Sequence, residues 1–260
     1  MAEPMPTGVT EDRLAPFVTG AGKSAVLLAH GFTGTPHDLR DLALHLAQQG
    51  FVVANVRLAG HAQGEARLAA SRWPDWWESV VDAYVALRSR SDHVIVCGFS
   101  MGGLLCLKLA VHYPVVGAAI LAAPLFLRQP LLPLLPLFRP LRQFKGKTAP
   151  SVYDPGARAL QPDVGRSPLS GLSSFRELML QVDRLLPQVT CPLLLIYSRK
   201  DRVVPFANMA RLEARVKSAS VRTVALARSN HILTRDYERD EVRRVVTDFA
   251  VELAATAERP

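Results

Sequence analysis

The segment Val94-Ile-Val-Cys-Gly-Phe-Ser-Met-Gly-Gly103 carries the clearest structural signal in the sequence. Residues 94–97 form a short apolar run, which predicts a strand buried on both faces of a sheet. Leucines follow at helical spacing from Leu104 to Leu109. A G-x-S-x-G sequence between a strand and a helix forms a sharp, strained turn that exposes the serine hydroxyl. We therefore predict that Ser100 is a nucleophile at the edge of a sheet.

Strands and helices alternate on both sides of this turn. Further strands are predicted at residues 25–29, 52–56, 117–122 and 193–197, and at about 221–226. Helices are predicted from Thr35-Pro36 to Gly50, from Pro74 to about Arg90, from Ser100 to before Pro114, and at about 240–255. The alternation indicates a doubly wound α/β fold, with a mostly parallel sheet and helices on both faces.

One long segment interrupts the alternation. About 70 residues separate the strand ending near Ala122 from the strand starting at Leu193, far more than a usual connection. Residues 124–142 contain eight leucines and five prolines. We predict a core made of residues 1–123 and 185–260, and a cap or lid made of residues 124–184. A proline-rich packing segment without a ligand role remains the alternative.

The predicted lid has an apolar inner face and a basic outer face. Leu134 and Leu137 are expected to line a pocket for an acyl chain above Ser100. Five basic residues are expected to face outward, where they could meet anionic lipid or water. These residues are Arg128, Arg139, Arg142, Lys145 and Lys147.

A serine hydroxyl needs a base to remove its proton, and seven histidines compete for that role. His231 lies in a turn between the last predicted strand and the final helix. Loops at the carboxyl ends of the strands lie on one rim of a doubly wound sheet, which places His231 beside Ser100. The other histidines fall in predicted helices, before a strand or in turns. His231 is therefore the predicted base.

The acid that orients the histidine should follow a strand on the same rim and lie between the serine and the histidine in the chain. Asp201 fits, because it comes just after the predicted strand at residues 193–197. Asp236 is the main rival, but it follows His231 and leads into the last helix. Asp201 is the predicted acid.

The turn after the first predicted strand can provide donors for a developing oxyanion. In His30-Gly-Phe-Thr-Gly34, the backbone N–H of Phe32 is expected to converge with that of Met101. His30 is expected to pack in the loop or to hydrogen-bond it rather than to transfer protons.

Two other patterns favour structural roles. Gly20-Ala-Gly-Lys-Ser24 imitates a phosphate-binding loop, but a predicted strand follows it instead of a helix, which argues against nucleotide binding. Trp73, Trp76 and Trp77 fall on one side of a predicted helix and indicate a buried face rather than an aromatic cage.

The motifs together resemble the α/β-hydrolase superfamily, and within it small bacterial monoacylglycerol lipases and carboxylesterases. The resemblance is carried by His30-Gly-Phe-Thr-Gly-Thr-Pro36, Gly98-Phe-Ser-Met-Gly-Gly103 and Asn230-His231 followed by Asp236. It extends from about Ala25 to the C-terminus and is weakest in residues 124–184. It implies a catalytic triad of Ser100, Asp201 and His231, with the Phe32 and Met101 amides as the oxyanion hole. Ala62 stands where relatives often have glycine. The cap is the part of the sequence that differs most from the family pattern.

The composition is that of a globular protein with a basic surface. Hydrophobic residues make up 49% and charged residues 21%, and 31 Lys and Arg against 23 Asp and Glu give a net charge of +8. The sequence has no Arg-rich tail and no zinc-finger or RNA-binding motif, which favours a solvated basic surface over nucleic-acid binding. The three cysteines form no C-x-x-C pair and the first residues do not look like a signal peptide. We expect a cytoplasmic, reduced protein without metal or cofactor.

The predicted function is hydrolysis of medium- or long-chain acyl esters, including monoacylglycerols, through an acyl-enzyme on Ser100. A thioesterase or an acyltransferase with the same triad remains an alternative. So does a non-catalytic lipid- or ligand-binding protein of this fold, and so does transient contact of the basic, leucine-rich cap with a lipid surface.

Overall fold

A seven-stranded sheet forms the centre of the computed structural model, which describes residues 11–128, 144–145, 151–162 and 166–258. Its strands are β1 (Phe17–Thr19), β2 (Ser24–Ala29), β3 (Val52–Val56), β4 (His93–Phe99), β5 (Gly117–Leu121), β8 (Leu193–Ser198) and β9 (Val221–Leu226). They lie in the order β1-β3-β2-β4-β5-β8-β9. β1 is antiparallel to β3, and every other neighbouring pair in this sheet is parallel. A separate antiparallel pair consists of β6 (Phe144–Lys145) and β7 (Ser167–Pro168).

Helices lie between the strands, as the alternation predicts. Those of the first half are α1 (Glu11–Leu14), α2 (Arg40–Gln48), α3 (Glu65–Ala70), α4 (Trp73–Arg88) and α5 (Met101–His112). Those of the second half are α6 (Pro155–Ala159), α7 (Leu169–Leu185), α8 (Ala207–Glu213) and α9 (Arg239–Ala257). Short 3₁₀ turns cover Pro36–Leu39 and Leu186–Gln188. No helix in the described ranges is long and apolar enough to cross a membrane.

The apolar strands are buried because helices cover both faces of the sheet. Every residue of β2, β3, β5 and β8 is buried. This burial explains why their sequences are continuous apolar runs instead of alternating ones. The edge strand β9 has only exposed and half-buried residues before the buried Leu226. The doubly wound, mostly parallel α/β sheet is therefore confirmed.

The helix after β2 begins where the sequence predicts it. The Thr35 hydroxyl accepts a hydrogen bond from the His37 amide, and the Asp38 carboxylate accepts one from the Thr35 amide. This reciprocal cap and the proline at the first position fix the start of the helix. The first turn is a 3₁₀ turn, and regular α-helix starts at Arg40.

The tryptophan-bearing face of helix α4 is only partly buried. Trp76, Val80 and Tyr84 are buried, as predicted. Trp73 and Trp77 are half-buried, and their rings flank the Lys108 ammonium group at 5.4 and 5.1 Å from the ring centroids. The prediction of one buried stripe is thus correct for the inner side of α4 and wrong for these two rings.

The long segment between β5 and β8 is held by hydrogen bonds at its start and ends in a helix that packs on the core. The buried Asn208 side-chain oxygen accepts hydrogen bonds from the amides of Leu125 and Phe126 at 2.7 and 3.0 Å. At the other end, α7 packs against α3, α4 and α5 with a face that includes Phe175 and Leu178. Leu134, Leu137, Arg139, Arg142 and Lys147 lie outside the described residues, as does the side chain of Lys145. The division at residues 124 and 184 stays a prediction.

Candidate active site

Ser100 lies in the sharp turn between β4 and α5, in a backbone conformation that non-glycine residues rarely adopt. Its φ of 53° and ψ of −119° lie outside the usual regions for an L-residue. The turn is held by hydrogen bonds from the Ser100 amide to Leu121 O (2.7 Å) and from the Gly103 amide to Ser100 O (2.9 Å). Such strain persists only where the surroundings over-determine it, and it is typical of functional sites.

The glycines of this turn allow the strand and helix to approach closely. A Cβ atom on Gly98 would lie 2.3 Å from Gly102 O. One on Gly102 would lie 2.0 Å from Ala29 O, in the neighbouring strand. Both distances are far below van der Waals contact, so any side chain at either position would displace the turn that carries Ser100.

His231 lies beside Ser100, as its place after the last strand predicts. Its Nε2 atom is 3.1 Å from Ser100 Oγ. Its Nδ1 atom is 2.8 Å from Asp201 Oδ2, so a proton on Nδ1 is donated to the carboxylate and Nε2 is left to accept from the hydroxyl. All three side chains are buried. The structure therefore brings the predicted serine, histidine and acid into one hydrogen-bonded chain.

The Asp201 carboxylate is oriented by the turn in which it lies. Its Oδ1 atom accepts hydrogen bonds from the amides of Val203 and Val204, at 2.7 and 2.8 Å. These two bonds leave Oδ2 directed at the imidazole. The neighbouring residue Arg202 donates its amide to the Asn230 side chain at 3.1 Å, which ties the loop of the acid to the loop of the histidine.

The rival Asp236 has a different set of partners. Its Oδ2 atom accepts from the amides of Tyr153 (2.8 Å) and Asn230 (2.7 Å), and its Oδ1 atom accepts from those of Asp154 and Tyr237 (both 2.9 Å). Four N–H donors saturate this fully buried carboxylate. Asp236 therefore holds the His231 loop against the segment at residues 153–154, and it does not contact the imidazole.

The loop after β2 passes directly beside Ser100. A Cβ atom on Gly31 would lie 3.1 Å from Ser100 Cβ, so the backbone that carries Phe32 lies against the serine. Met101 is the first residue of α5, and amides in the first turn of a helix have no acceptor within the helix. Both predicted oxyanion donors thus belong to backbone next to the hydroxyl.

His30 and His61 have structural hydrogen bonds. His30 Nε2 accepts from the Leu58 amide at 3.2 Å, and its Nδ1 then donates to Gly31 O at 2.9 Å. Burial lowers the pKa of His30 well below its usual value and lowers the pKa of His61 to about 4. Both rings are therefore neutral at pH 7, and the expectation that His30 hydrogen-bonds the loop is confirmed.

Sequence reasoning missed an aromatic cluster beside the oxyanion loop. The Phe32 ring stacks on Phe175 of α7 at a centroid distance of 5.7 Å and meets Trp76 and His61 at 5.6 and 6.0 Å. Gly171 allows this contact, since a Cβ atom there would lie 2.8 Å from the Phe32 ring. The periodic apolar residues of α7 were a signal for its packing, but the sequence does not show which loop it packs on.

A parallel sheet with a strained serine turn, and with a histidine and an acid on the same rim, defines the α/β-hydrolase class. The chain belongs to the family described as serine aminopeptidase, S33, whose profile matches residues 20–238. It is 32% identical over 229 residues to a thermostable monoacylglycerol lipase of Bacillus sp. (strain H-257), covering 86% of this chain and 88% of the relative. It is 26% identical over 242 residues to a carboxylesterase of Bacillus subtilis (strain 168), covering 92% and 96%.

Solved structures show the same fold. A structure reported for the metagenome-derived lipolytic enzymes LipS and LipT superposes with a TM-score of 0.87 at 29% identity, covering 92% of this chain and 98% of the other. The monoacylglycerol lipase of Paleococcus ferrophilus superposes with a TM-score of 0.77 at 17% identity, covering 92% and 99%, a likeness of fold alone. Together with the curated relatives, these comparisons identify the chain as a carboxylic ester hydrolase.

Proposed function

We propose that this ester hydrolase uses Ser100, His231 and Asp201 as its catalytic triad and cleaves esters of medium- to long-chain acyl groups, monoacylglycerols among them. The observation that carries the proposal is the hydrogen-bonded chain Ser100 Oγ–His231 Nε2 (3.1 Å) and His231 Nδ1–Asp201 Oδ2 (2.8 Å). A nucleophile, a base within hydrogen-bond distance and a group that orients the base are the features that activate a serine.

In the first half of the reaction, Ser100 Oγ attacks the ester carbonyl carbon while its proton passes to His231 Nε2. The carbonyl oxygen becomes an oxyanion, which accepts hydrogen bonds from the amides of Phe32 and Met101 in this proposal. Removing one such donor typically raises the barrier by about 3 kcal/mol. When the tetrahedral intermediate collapses, the C–O bond to the alcohol breaks and His231 gives its proton to the leaving alcohol oxygen.

In the second half, water replaces the alcohol. His231 removes a proton from the water, and the resulting hydroxide attacks the acyl carbon. The second intermediate releases the carboxylic acid, and His231 returns the proton to Ser100 Oγ. Asp201 holds the imidazole in place and stabilises the imidazolium that forms in each half. The proton that Ser100 loses leaves with the alcohol and is replaced by a proton from water, so the triad is regenerated at the end of each cycle.

Two observations support an apolar acyl group. A relative that is 32% identical is named a monoacylglycerol lipase, a statement about that protein which we extend to this chain as a proposal. In addition, the half-buried Phe32 ring, which stacks on Phe175, provides apolar surface next to one of the proposed oxyanion amides. Apolar surface there favours acyl chains longer than acetyl.

A panel of esters with graded acyl length tests this substrate class. We expect kcat/KM to rise roughly tenfold for every two methylenes, from acetyl up to the length that fills the site, since each buried methylene contributes about 0.8 kcal/mol. At equal acyl length, a 1-monoacylglycerol should be cleaved at least as well as the ethyl ester. Matched thioesters form the control arm.

Two results would contradict the proposed substrate class. One is a profile in which the acetyl ester is the best substrate, which would exclude an acyl pocket. The other is a preference for thioesters over the matched oxygen esters, which would make the chain a thioesterase.

A further inference from the structure

A second concave site lies beside the loops that carry Asp201 and His231. It is an open cavity of about 580 Å³. We call it the basic cavity; its lining residues are Tyr153, Lys200, Arg202, Ala227, Arg228 and Tyr237. None of them is Ser100, Asp201 or His231, so the basic cavity is distinct from the proposed ester site.

Half of the lining residues are cations, and they come from two loops. Lys200 and Arg202 follow β8, whereas Arg228 follows β9. Within the described residues, none of the three forms an ion pair with a carboxylate, although eight arginine–carboxylate ion pairs are present there. All three side chains are exposed, and the repulsion between like charges around one concavity falls when an anion lies between them.

Two buried carboxylates lie behind the walls of the basic cavity, but their lone pairs are engaged elsewhere. Asp236 accepts the amides of Tyr153 and Tyr237 together with two others. Glu238 accepts the amides of Ala227, Arg228 and Ser229 and also the Ser229 hydroxyl. Amide dipoles therefore already compensate both charges. The three cations keep their donors for a ligand.

The walls of the basic cavity are held in place before any ligand arrives. The Arg202 guanidinium carbon lies 5.2 Å from the centroid of the Tyr153 ring. The Tyr153 hydroxyl donates to Lys200 O at 3.0 Å, and the Lys200 amide donates to Ser198 Oγ at 3.1 Å. These contacts order the Arg202 and Tyr153 side chains and the backbone of Lys200 in advance, which lowers the entropy lost on binding.

We propose that the basic cavity binds the phosphate group of a phosphate monoester. A phosphate dianion offers three oxygens to three cations, and the planar fork of arginine and the point charge of lysine both suit phosphate oxygens. The volume of about 580 Å³ leaves room for an organic group, since a single water occupies only about 30 Å³. The rings of Tyr153 and Tyr237 provide apolar surface for that group.

Calorimetric titration of the full chain at constant ionic strength tests the proposal without ester turnover, so its outcome is independent of the proposed function. The probes are inorganic phosphate, phenyl phosphate and benzoate. We expect saturable binding of both phosphates with one site per chain, tighter for phenyl phosphate. Benzoate should bind at least about tenfold more weakly than phenyl phosphate, because it offers two oxygens and one charge.

Charge-removing variants locate the site. Arg202→Gln and Arg228→Gln should each weaken phenyl phosphate about tenfold or more. Arg90→Gln is the matched control. Arg90 is exposed after α4, and its substitution removes the same charge at a position far along the chain from the basic cavity. This variant should bind phenyl phosphate as tightly as the wild type does. Equal affinities in all three variants would overturn the proposal, and so would the absence of saturable phosphate binding.

A sedimentation assay with vesicles separates the two sources of a phosphate monoester. Vesicles of phosphatidylcholine with phosphatidic acid carry the group at a membrane surface, and phosphatidylcholine vesicles are the blank. A lipid headgroup in the basic cavity predicts that Arg202→Gln abolishes the additional sedimentation with phosphatidic acid. A small soluble ligand predicts that Arg202→Gln loses phenyl phosphate binding while its sedimentation matches that of Arg90→Gln.

Discussion

Two aspartates near His231 differ in what their oxygens accept. Asp201 gives one oxygen to two amides and the other to the imidazole. Asp236 gives both oxygens to backbone amides, two to each oxygen. The first arrangement can hold an imidazole in one tautomer, whereas the second can only fix the path of the chain. The two residues are therefore expected to fail in different ways when each is changed to asparagine.

Asp201→Asn should lower kcat by about 10³- to 10⁴-fold with little change in stability, because the imidazole is then held in the wrong tautomer. Asp236→Asn should instead lower the free energy of unfolding by roughly 2 kcal/mol or more, since its NH₂ group would leave two amides without their acceptor at a buried side chain. The measurements are kcat at a temperature where both variants are folded, and urea unfolding. A crippled but fully stable Asp236→Asn, with a mild Asp201→Asn, would reverse the assignment of the acid.

Among the secondary-structure elements, the strands of five or more residues could be predicted, and the short elements could not. The strands at residues 52–56 and 221–226 have the predicted bounds, and the other predicted strands differ by one or two residues at one or both ends. β1 was missed because three residues at an antiparallel sheet edge carry no periodicity. Helices α3 and α8 were missed because six and seven residues span at most two turns.

The candidate site, too, could be predicted from the sequence only in part. The place of Ser100, Asp201 and His231 on one rim follows from chain order and from the rule that parallel strands end on the same side. Contacts between distant segments do not follow from such rules. The stacking of Phe32 on Phe175, across 143 residues of chain by their numbers, depends on how α7 packs, and only the structure gives it. The saturation of Asp236 by amides from two loops is another such contact.

At the scale of the whole molecule, buried neutral histidines make stability depend on pH. Burial lowers the pKa of His61 from 6.5 to about 4 in the folded chain. In the unfolded chain the same residue takes up a proton near pH 6.5. Unfolding therefore binds a proton between these two pH values, and the free energy of unfolding falls as the pH is lowered from about 6.5 towards 4.

His61→Phe should remove this contribution. Between pH 7 and pH 5, the wild type should lose about 2 kcal/mol more of its free energy of unfolding than the variant, because at pH 5 only the unfolded chain carries the proton on His61. Urea unfolding of both proteins at the two pH values measures the difference. Equal losses would mean that His61 is not held neutral by burial.

Covalent labelling shows whether Ser100 is the nucleophile. A fluorophosphonate phosphonylates an activated serine and releases fluoride, so intact-mass measurement counts the labelled sites. We predict one adduct on the wild type, located on the peptide that contains Ser100. We predict none on Ser100→Ala, whose circular dichroism should match that of the wild type and whose ester hydrolysis should be lost. An adduct on another residue, or a folded Ser100→Ala that still hydrolyses esters, would show that Ser100 is not the nucleophile.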